Sequence, residues 1–184
     1  MLVLSQEERV SRKIIFENKD ALVLQIGETK NLEKTLILTL QLLEAGFNLI
    51  LVLNMKDEAE KEGIEVDQEK LKEFLGIPIV GTVSVSGLGV NQLKEEIVHF
   101  YKRDKKINLI YPSFVEEAIA KISLNLEGEY NLSKRTISLL LLEEDVDIWE
   151  EVKRKEKKDN LEKIYQIKEE LKQKLTQPLS ILLI

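Results

Sequence analysis

The sequence predicts an α/β region followed by an all-α region, and three observations carry that prediction. From about residue 20 to 100, short runs of branched apolar residues alternate with apolar positions at helical spacing. From about residue 112 only the helical periodicity continues. Between them lies the polar stretch KRDKK at Lys102–Lys106, which divides the chain into domains 1–104 and 105–184. Strand–helix alternation of this kind builds a parallel sheet, because parallel strands must be joined by a crossover, usually a helix.

Ser5 and Glu8 have capping-box spacing ahead of Val10, Ile14 and Ile15, which predicts a helix over residues 5–17. The first strand is Ala21 to Ile26, the second Asn48 to Leu53 and the third Ile77 to Val83. Each is nearly continuous in apolar residues, the pattern of strands buried on both faces. Leu32, Leu36, Leu40 and Leu43 recur at helical spacing after the first strand, with Gly46 as the C-terminal stop. Leu71, Phe74 and Leu75 mark a helix closed by Gly76, and Leu93, Ile97, Phe100 and Tyr101 mark the next. In the second region, Ser113 with Glu116 caps a helix carrying Val115, Ile119 and Ile122. Ser133 caps one carrying Ile137, Leu140 and Leu141. Ile148, Trp149 and Val152 form a short third helix, and Leu161, Ile164, Ile167, Leu171 and Leu175 trace a long fourth.

Composition narrows the function classes. The 184 residues are 43% hydrophobic and 33% charged, which suits a globular chain with a real core rather than a disordered one. The net charge of -6 gives little electrostatic reason to bind nucleic acid. With no cysteine there is neither a disulfide framework nor a thiolate metal site, and a reducing compartment is the natural reading. No run approaches the roughly 18–20 apolar residues that span a bilayer. The start, MLVLSQEERV, is too short and too acidic for a signal peptide, so a cytoplasmic location is expected.

Chemistry concentrates at Asn54-Met55-Lys56-Asp57, directly after the second strand. Ligands of open parallel sheets bind beyond the carboxyl ends of the strands. A carboxylate there accepts two hydrogen bonds from guanine, one from the ring N–H and one from the exocyclic amine; adenine offers neither in that arrangement. At about 1.5–3 kcal/mol each, such bonds let one aspartate set base identity. Asn54 braces the loop and reaches the far edge of the base. After the third strand comes Val83-Ser84-Val85-Ser86-Gly87-Leu88-Gly89-Val90, where small residues let backbone N–H groups approach a flat ring. Elsewhere, His99 reads as a surface residue, Trp149 as core, and Lys153–Lys158 as a solvated helix joint. Glu58, Glu60, Glu62, Glu65 and Asp67 read as a solvated acidic connection rather than a metal-ion site.

At these residues the chain resembles the cytosolic part of ferrous iron transport protein B (FeoB), a GTPase domain followed by a helical domain. Asn54-Met55-Lys56-Asp57 is similar to the family's fourth GTPase motif, including the Met, and Ser84 to Gly89 occupies the place of the fifth, with Val83-Ser84 where Ser-Ala is usual. Lys30 to Leu36 and Leu38 to Leu43 resemble the segment after the family's fourth strand, with Glu28 where Asp is usual. Ser5 to Val10 resembles the start of the helix after switch II. Tyr111 to Ile119, and Ser133 to Thr136 through Leu141 to Asp145, resemble two landmarks of the helical domain, with Thr136 departing from Trp. Gln177-Pro178-Leu179 resembles a late segment of that domain.

The resemblance implies an incomplete P-loop-GTPase-like parallel sheet, its last three strands, followed by a helical bundle domain. It implies a guanine-nucleotide site at Asn54, Met55, Asp57, Ser84 and Val85, with no metal ligands and no catalytic residue. The sequence contains no G-x-x-x-x-G-K-[ST] phosphate loop, no D-x-x-G before Ser5 and no switch I threonine. GTP or GDP is therefore expected to bind weakly or not at all, and this chain alone is not expected to hydrolyse GTP. The implied partners are the guanine nucleotide and the transporter's membrane domain, at the inner face of the cell membrane. The strand at residues 21–26 is expected to be an exposed apolar edge, a template for self-association unless residues 1–17 cover it. The alternative is a stand-alone, degenerate GTPase-like interaction protein without nucleotide binding, with Glu28, Val83 and Thr136 as marks of relaxed constraint. A translation-factor-like GTPase fragment explains the helical half less well.

Overall fold

The computed structural model describes residues 14–100 and 111–175. Among these, the residues within Asp20–Asn108 form one compact unit, and 14–19 with 111–175 form a second. The Ser5–Glu8 capping box, Tyr101, the KRDKK stretch and Gln177-Pro178-Leu179 lie outside the described residues; residues 14–17, the end of the expected first helix, are helical.

The first unit is built on a parallel sheet of β1 (Leu22–Glu28), β2 (Asn48–Asn54) and β3 (Ile79–Gly81), in that order. β2 is central and meets the expectation of a strand buried on both faces, with Leu49 to Leu53 at most 2% exposed. β1 does not. Its Leu24 and Ile26 are 40% and 69% exposed, and Gln25 is its only buried residue. Among the described residues β1 pairs only with β2, in register from Leu22 opposite Asn48 to Glu28 opposite Asn54. One face of the sheet holds a cluster of Ile50, Val52 and Val80, against which Leu22, Leu93 and Phe100 pack, but that cover stops short of Leu24 and Ile26. β3 is shorter than the expected run from Ile77 to Val83, because the chain turns away after Gly81.

Helix α1 (Leu32–Glu44) follows a 3-10 turn at Thr29–Asn31. It forms as expected, but its buried face is Thr35, Thr39, Leu42 and Leu43, while Leu32, Leu36 and Leu40 are half-buried. The reason is a close approach to β1: a Cβ added at Gly27 would lie 2.2 Å from Thr35 Cγ2. Gln25 Nε2 and Thr39 Oγ1 each donate to the Thr35 carbonyl at 2.8 Å, while Gln25 Oε1 is buried without a partner among the described residues. Gly46, at φ 81, ends the helix as read. Two further helices, α2 (Lys56–Lys61) and α3 (Gln68–Leu75), lie between β2 and β3, and α4 (Val90–Val98) follows β3. α2 was not expected; it takes up Asp57, Glu58 and Glu60 from what reads as loop. Asp67 caps α3 by accepting from Lys70 N, and Phe74, expected on its apolar face, is 79% exposed.

The second unit contains α5 (Ser113–Leu124), α6 (Lys134–Leu142), α7 (Val146–Lys155) and α8 (Lys158–Lys174). α5 packs on α6 and α8 through Val115, Ala118, Ile119 and Ile122. Ser133 caps α6 as expected, accepting from Thr136 N. Ser113 does not cap α5: Pro112 holds the cap position, and Glu116 instead accepts from Tyr111 N and takes a two-pronged bond from Arg135. That guanidinium holds the Glu116 carboxyl below its ordinary range. Trp149 is core, as read: its indole N–H donates to Leu141 O at 3.0 Å and its ring stacks on Tyr165 at 4.5 Å. The joint between α7 and α8 is Glu156-Lys157. Burial pushes the Glu156 carboxyl up, but donors from Gly128 N, Tyr130 Oη and Asn160 Nδ2 outweigh it and hold it low.

The turn between α6 and α7 carries a testable charge. Glu144 sits at φ 64, and its carboxylate receives Lys172 at 2.5 Å and Lys168 at 2.9 Å. Lys172 first, then Lys168, lowers its pKa from 4.5 to about 2. A depressed folded-state pKa contributes stability above the unfolded value, and that stability is lost as pH falls through the folded one. Glu144→Gln is expected to lower the melting temperature at neutral pH, and the gap from the unaltered chain should close as pH falls from about 4.5 toward about 2. Thermal unfolding across that range checks it; a pH-independent gap contradicts the assignment.

Candidate functional site

Three loops leave the carboxyl ends of the parallel strands: the 3-10 turn after β1, the Asn54–Asp57 turn after β2 and the Ser84–Gly89 turn after β3. Asn54 joins the last two. Its Oδ1 accepts from Ser84 N at 3.1 Å, Ser84 Oγ at 2.8 Å and Thr82 Oγ1 at 3.1 Å. The Ser84 amide is a donor only, so this atom must be the oxygen, and the Asn54 NH₂ is left for another acceptor. The expected brace is therefore present, and two of the five site residues from the sequence are hydrogen-bonded to each other.

Met55 follows at φ 58, ψ 37, the left-handed region, and turns the chain from β2 into α2. A long side chain there costs about 1–3 kcal/mol. The sequence places Asp57 in a loop; the structure places it in the first turn of α2, where the free N–H groups favour a negative charge. The left-handed Met55 turns the chain out of β2 so that the helix starts at Lys56 and takes in Asp57. The Asp57 carboxylate is 42% exposed and meets Lys61 at 3.5 Å. Neither Asp57 nor Val85 is hydrogen-bonded to the other site residues, and Val85 is fully exposed at the tip of its turn.

The third turn is shaped by glycine. Val83 pairs with Leu88 across it, Gly87 N donates to Val83 O at 2.9 Å, and Gly87 and Gly89 both have φ 78. A Cβ on Gly89 would lie 2.2 Å from Gly81 O, so only glycine fits between the end of β3 and the start of α4. Sequence reading missed three supporting residues. Thr29 Oγ1 donates to Asn54 O at 2.7 Å; Thr82, the residue after β3, holds Asn54 and accepts from Lys56 N at 3.3 Å; Gln68 Oε1 accepts from Gly81 N at 3.1 Å. A threonine near the end of the first and third apolar runs is the only signal the sequence offers for the first two.

Of the acidic stretch, Glu58, Glu60 and Glu62 sit in ion pairs, Asp67 caps α3 and Glu65 is exposed. Lys30 meets Glu58 at 3.2 Å and Glu62 at 3.7 Å, which raises the Lys30 pKa, and Lys56 meets Glu60 at 3.6 Å. Among the described residues no group of three or more His, Cys, Asp or Glu is suited to a metal ion. His99 is exposed at the end of α4. A depression of about 280 Å³ lies between α5 and α8, lined by Lys121, Leu124, Lys163 and Ile167 among others; it holds none of the five candidate site residues. No helix among the described residues is long and apolar enough to cross a membrane.

The family model for ferrous iron transport protein B matches residues 1–97, and that for the FeoB cytosolic helical domain matches 111–184. A Porphyromonas gingivalis fusion of Fe(2+) transport protein A with Fe(2+) transporter FeoB is 37% identical over 153 residues, 78% of this chain and 18% of that protein. The Escherichia coli K12 Fe(2+) transporter FeoB is 33% identical over 147 residues, again 18% of its length. The chain thus spans about a fifth of these relatives. Among solved structures, an S. thermophilus NFeoB mutant bound to GDP has a TM-score of 0.85 at 26% identity, covering 97% of this chain and 69% of that one. The cytosolic domain of the T. maritima FeoB iron transporter in GMPPNP form has a TM-score of 0.75 at 29% identity, covering 91% and 70%.

The brace at Asn54 makes a direct prediction. Asn54→Ala removes the acceptor of three donors and should cost about 1–3 kcal/mol of stability. Chemical denaturation measures it, and an unchanged midpoint would show that water replaces the amide oxygen at no cost.

Proposed function

The chain belongs to the ferrous iron transport protein B family, and from that premise we propose that Asn54, Met55, Asp57, Ser84 and Val85 form a guanine-recognition site. The observation that carries the reading is the triple acceptance at Asn54 Oδ1, which ties the Asp57-bearing turn to the Ser84 turn and leaves the Asn54 amine free. Asp57 supplies the carboxylate for the ring N–H and exocyclic amine, Ser84 and Val85 the backbone that lies against the base. The names of the GDP and GMPPNP forms among the solved relatives support a guanine nucleotide as ligand. In this reading residues 1–104 face the nucleotide, and residues 105–184 relay its state to the membrane domain of a ferrous iron transporter, from the cytoplasmic side.

Phosphate affinity is a separate matter. The sequence holds no phosphate loop, so the base contacts act alone. Two charge-assisted hydrogen bonds of about 1.5–3 kcal/mol each sum to about 3–6 kcal/mol, dissociation constants from about 6 mM to about 40 μM. GDP and GTP should bind this chain with similar, weak affinity, independent of Mg²⁺, without hydrolysis, and Asp57→Ala should weaken both at least about tenfold. Titration followed by nuclear magnetic resonance reads this. Tight, Mg²⁺-dependent binding contradicts the weak-phosphate reading, and indifference to Asp57→Ala contradicts the base site.

A second reading is favoured by β1, which pairs on one side only among the described residues and exposes Leu24 and Ile26. We propose that the chain self-associates through this strand, the behaviour of an interaction protein that needs no nucleotide. Light scattering should show a dimer that grows with concentration and is lost in Ile26→Lys. A monomer at every concentration rejects it.

A further inference from the structure

We propose that Thr29 is a positioning residue of this site: its hydroxyl locks the Asn54–Met55 peptide and so holds the left-handed turn that sets Asp57 at the head of α2. The inference rests on the guanine reading above. Met55, at φ 58 and ψ 37, occupies a conformation that long side chains rarely adopt, and it caps α2 with its backbone alone. A strained turn of this kind persists only where its surroundings hold it.

Two hydrogen bonds flank it. Before Met55, Thr29 Oγ1 donates to Asn54 O at 2.7 Å. After it, Lys56 N donates to Thr82 O at 3.3 Å. The first is the shorter, and its donor residue is only 3% exposed, so water competes poorly for the carbonyl. The register explains how a residue 25 positions away reaches this peptide. Glu28 lies opposite Asn54 in the parallel pair, so Thr29 is the first residue past the ladder, beside the last carbonyl of β2. The next residue reinforces the hold, since Lys30 Nζ meets Glu58 on α2 and Glu62 at its C-terminal cap. The turn after β1 therefore grips both the peptide before α2 and the helix itself.

The consequence is for base selectivity. A carboxylate accepts from both the ring N–H and the exocyclic amine only when it lies in the plane of the base, and a tilted turn loses one of the two. Inosine diphosphate lacks the amine, so the ratio of GDP to IDP affinity reads the second bond, which a general loss of stability would not move.

The test uses the full 184-residue chain with Thr29→Val, which keeps the branched shape without the donor, and Thr29→Ser, which keeps the donor. GDP and IDP affinities and hydrogen exchange at the Lys56 amide are measured. Thr29→Val should lower GDP affinity about tenfold, bring the GDP to IDP ratio toward one and speed Lys56 exchange, and Thr29→Ser should restore all three. An unaltered ratio with unaltered Lys56 exchange in Thr29→Val overturns the proposal, as does a serine variant no better than valine. If the unaltered chain binds GDP no better than IDP, the guanine reading fails instead. Thr29's hold on the turn is then decided by Lys56 exchange alone, which supports it if faster in Thr29→Val and overturns it if unchanged.

Discussion

The amide oxygen of Asn54 is the atom on which the strand-end loops depend. It accepts three hydrogen bonds from residues 28 and 30 positions away, and those bonds join two turns that the chain makes independently. Parallel strands alone would leave these turns to diverge, since each departs from a different strand into a different helix. Asn54 converts two local turns into one surface. Its backbone carbonyl does the same for the turn after β1, through Thr29. The arrangement stands on β2, whose interior residues are almost wholly buried and therefore cannot shift without opening the core.

Around that anchor the sheet tolerates an asymmetry. β2 is packed on both sides, while β1 carries a buried glutamine against Thr35 and leaves two large side chains open on its other face. The close contact at Gly27 pulls α1 onto β1 through threonines, which is why Leu32, Leu36 and Leu40 are only half-buried. Packing here is governed by how near two backbones approach, not by how apolar the nearest residues are.

The helical unit is held by a different kind of contact. Its loops are pinned by carboxylates in fixed roles: Glu116 on Arg135, Glu144 on two lysines, and Glu156 on a backbone amide, a tyrosine and an asparagine. All three are held below their ordinary range, Glu156 despite burial. Carboxylates that accept several donors stay ionised and order the segments that supply those donors.

Much of this protein was legible in its residues. Local periodicity determined the three strands, the helices that follow β1 and β3 and those of the second unit, because burial of one face imposes a repeat that no tertiary detail can erase. The fourth-motif resemblance singled out Asn54 and Asp57, and turn chemistry determined Gly46, Gly76 and Ser133 as stops and caps. Only the tertiary structure decided which face of α1 is buried, that Phe74 points outward, that Pro112 rather than Ser113 caps α5, and that Asp57 begins a helix. Thr29 and Thr82 were invisible as site residues for the same reason. Their hydroxyls act on Asn54 across 25 and 28 residues of chain, and a hydrogen bond between distant segments leaves no period in a sequence; it exists only once the strands set the register that brings its two ends together.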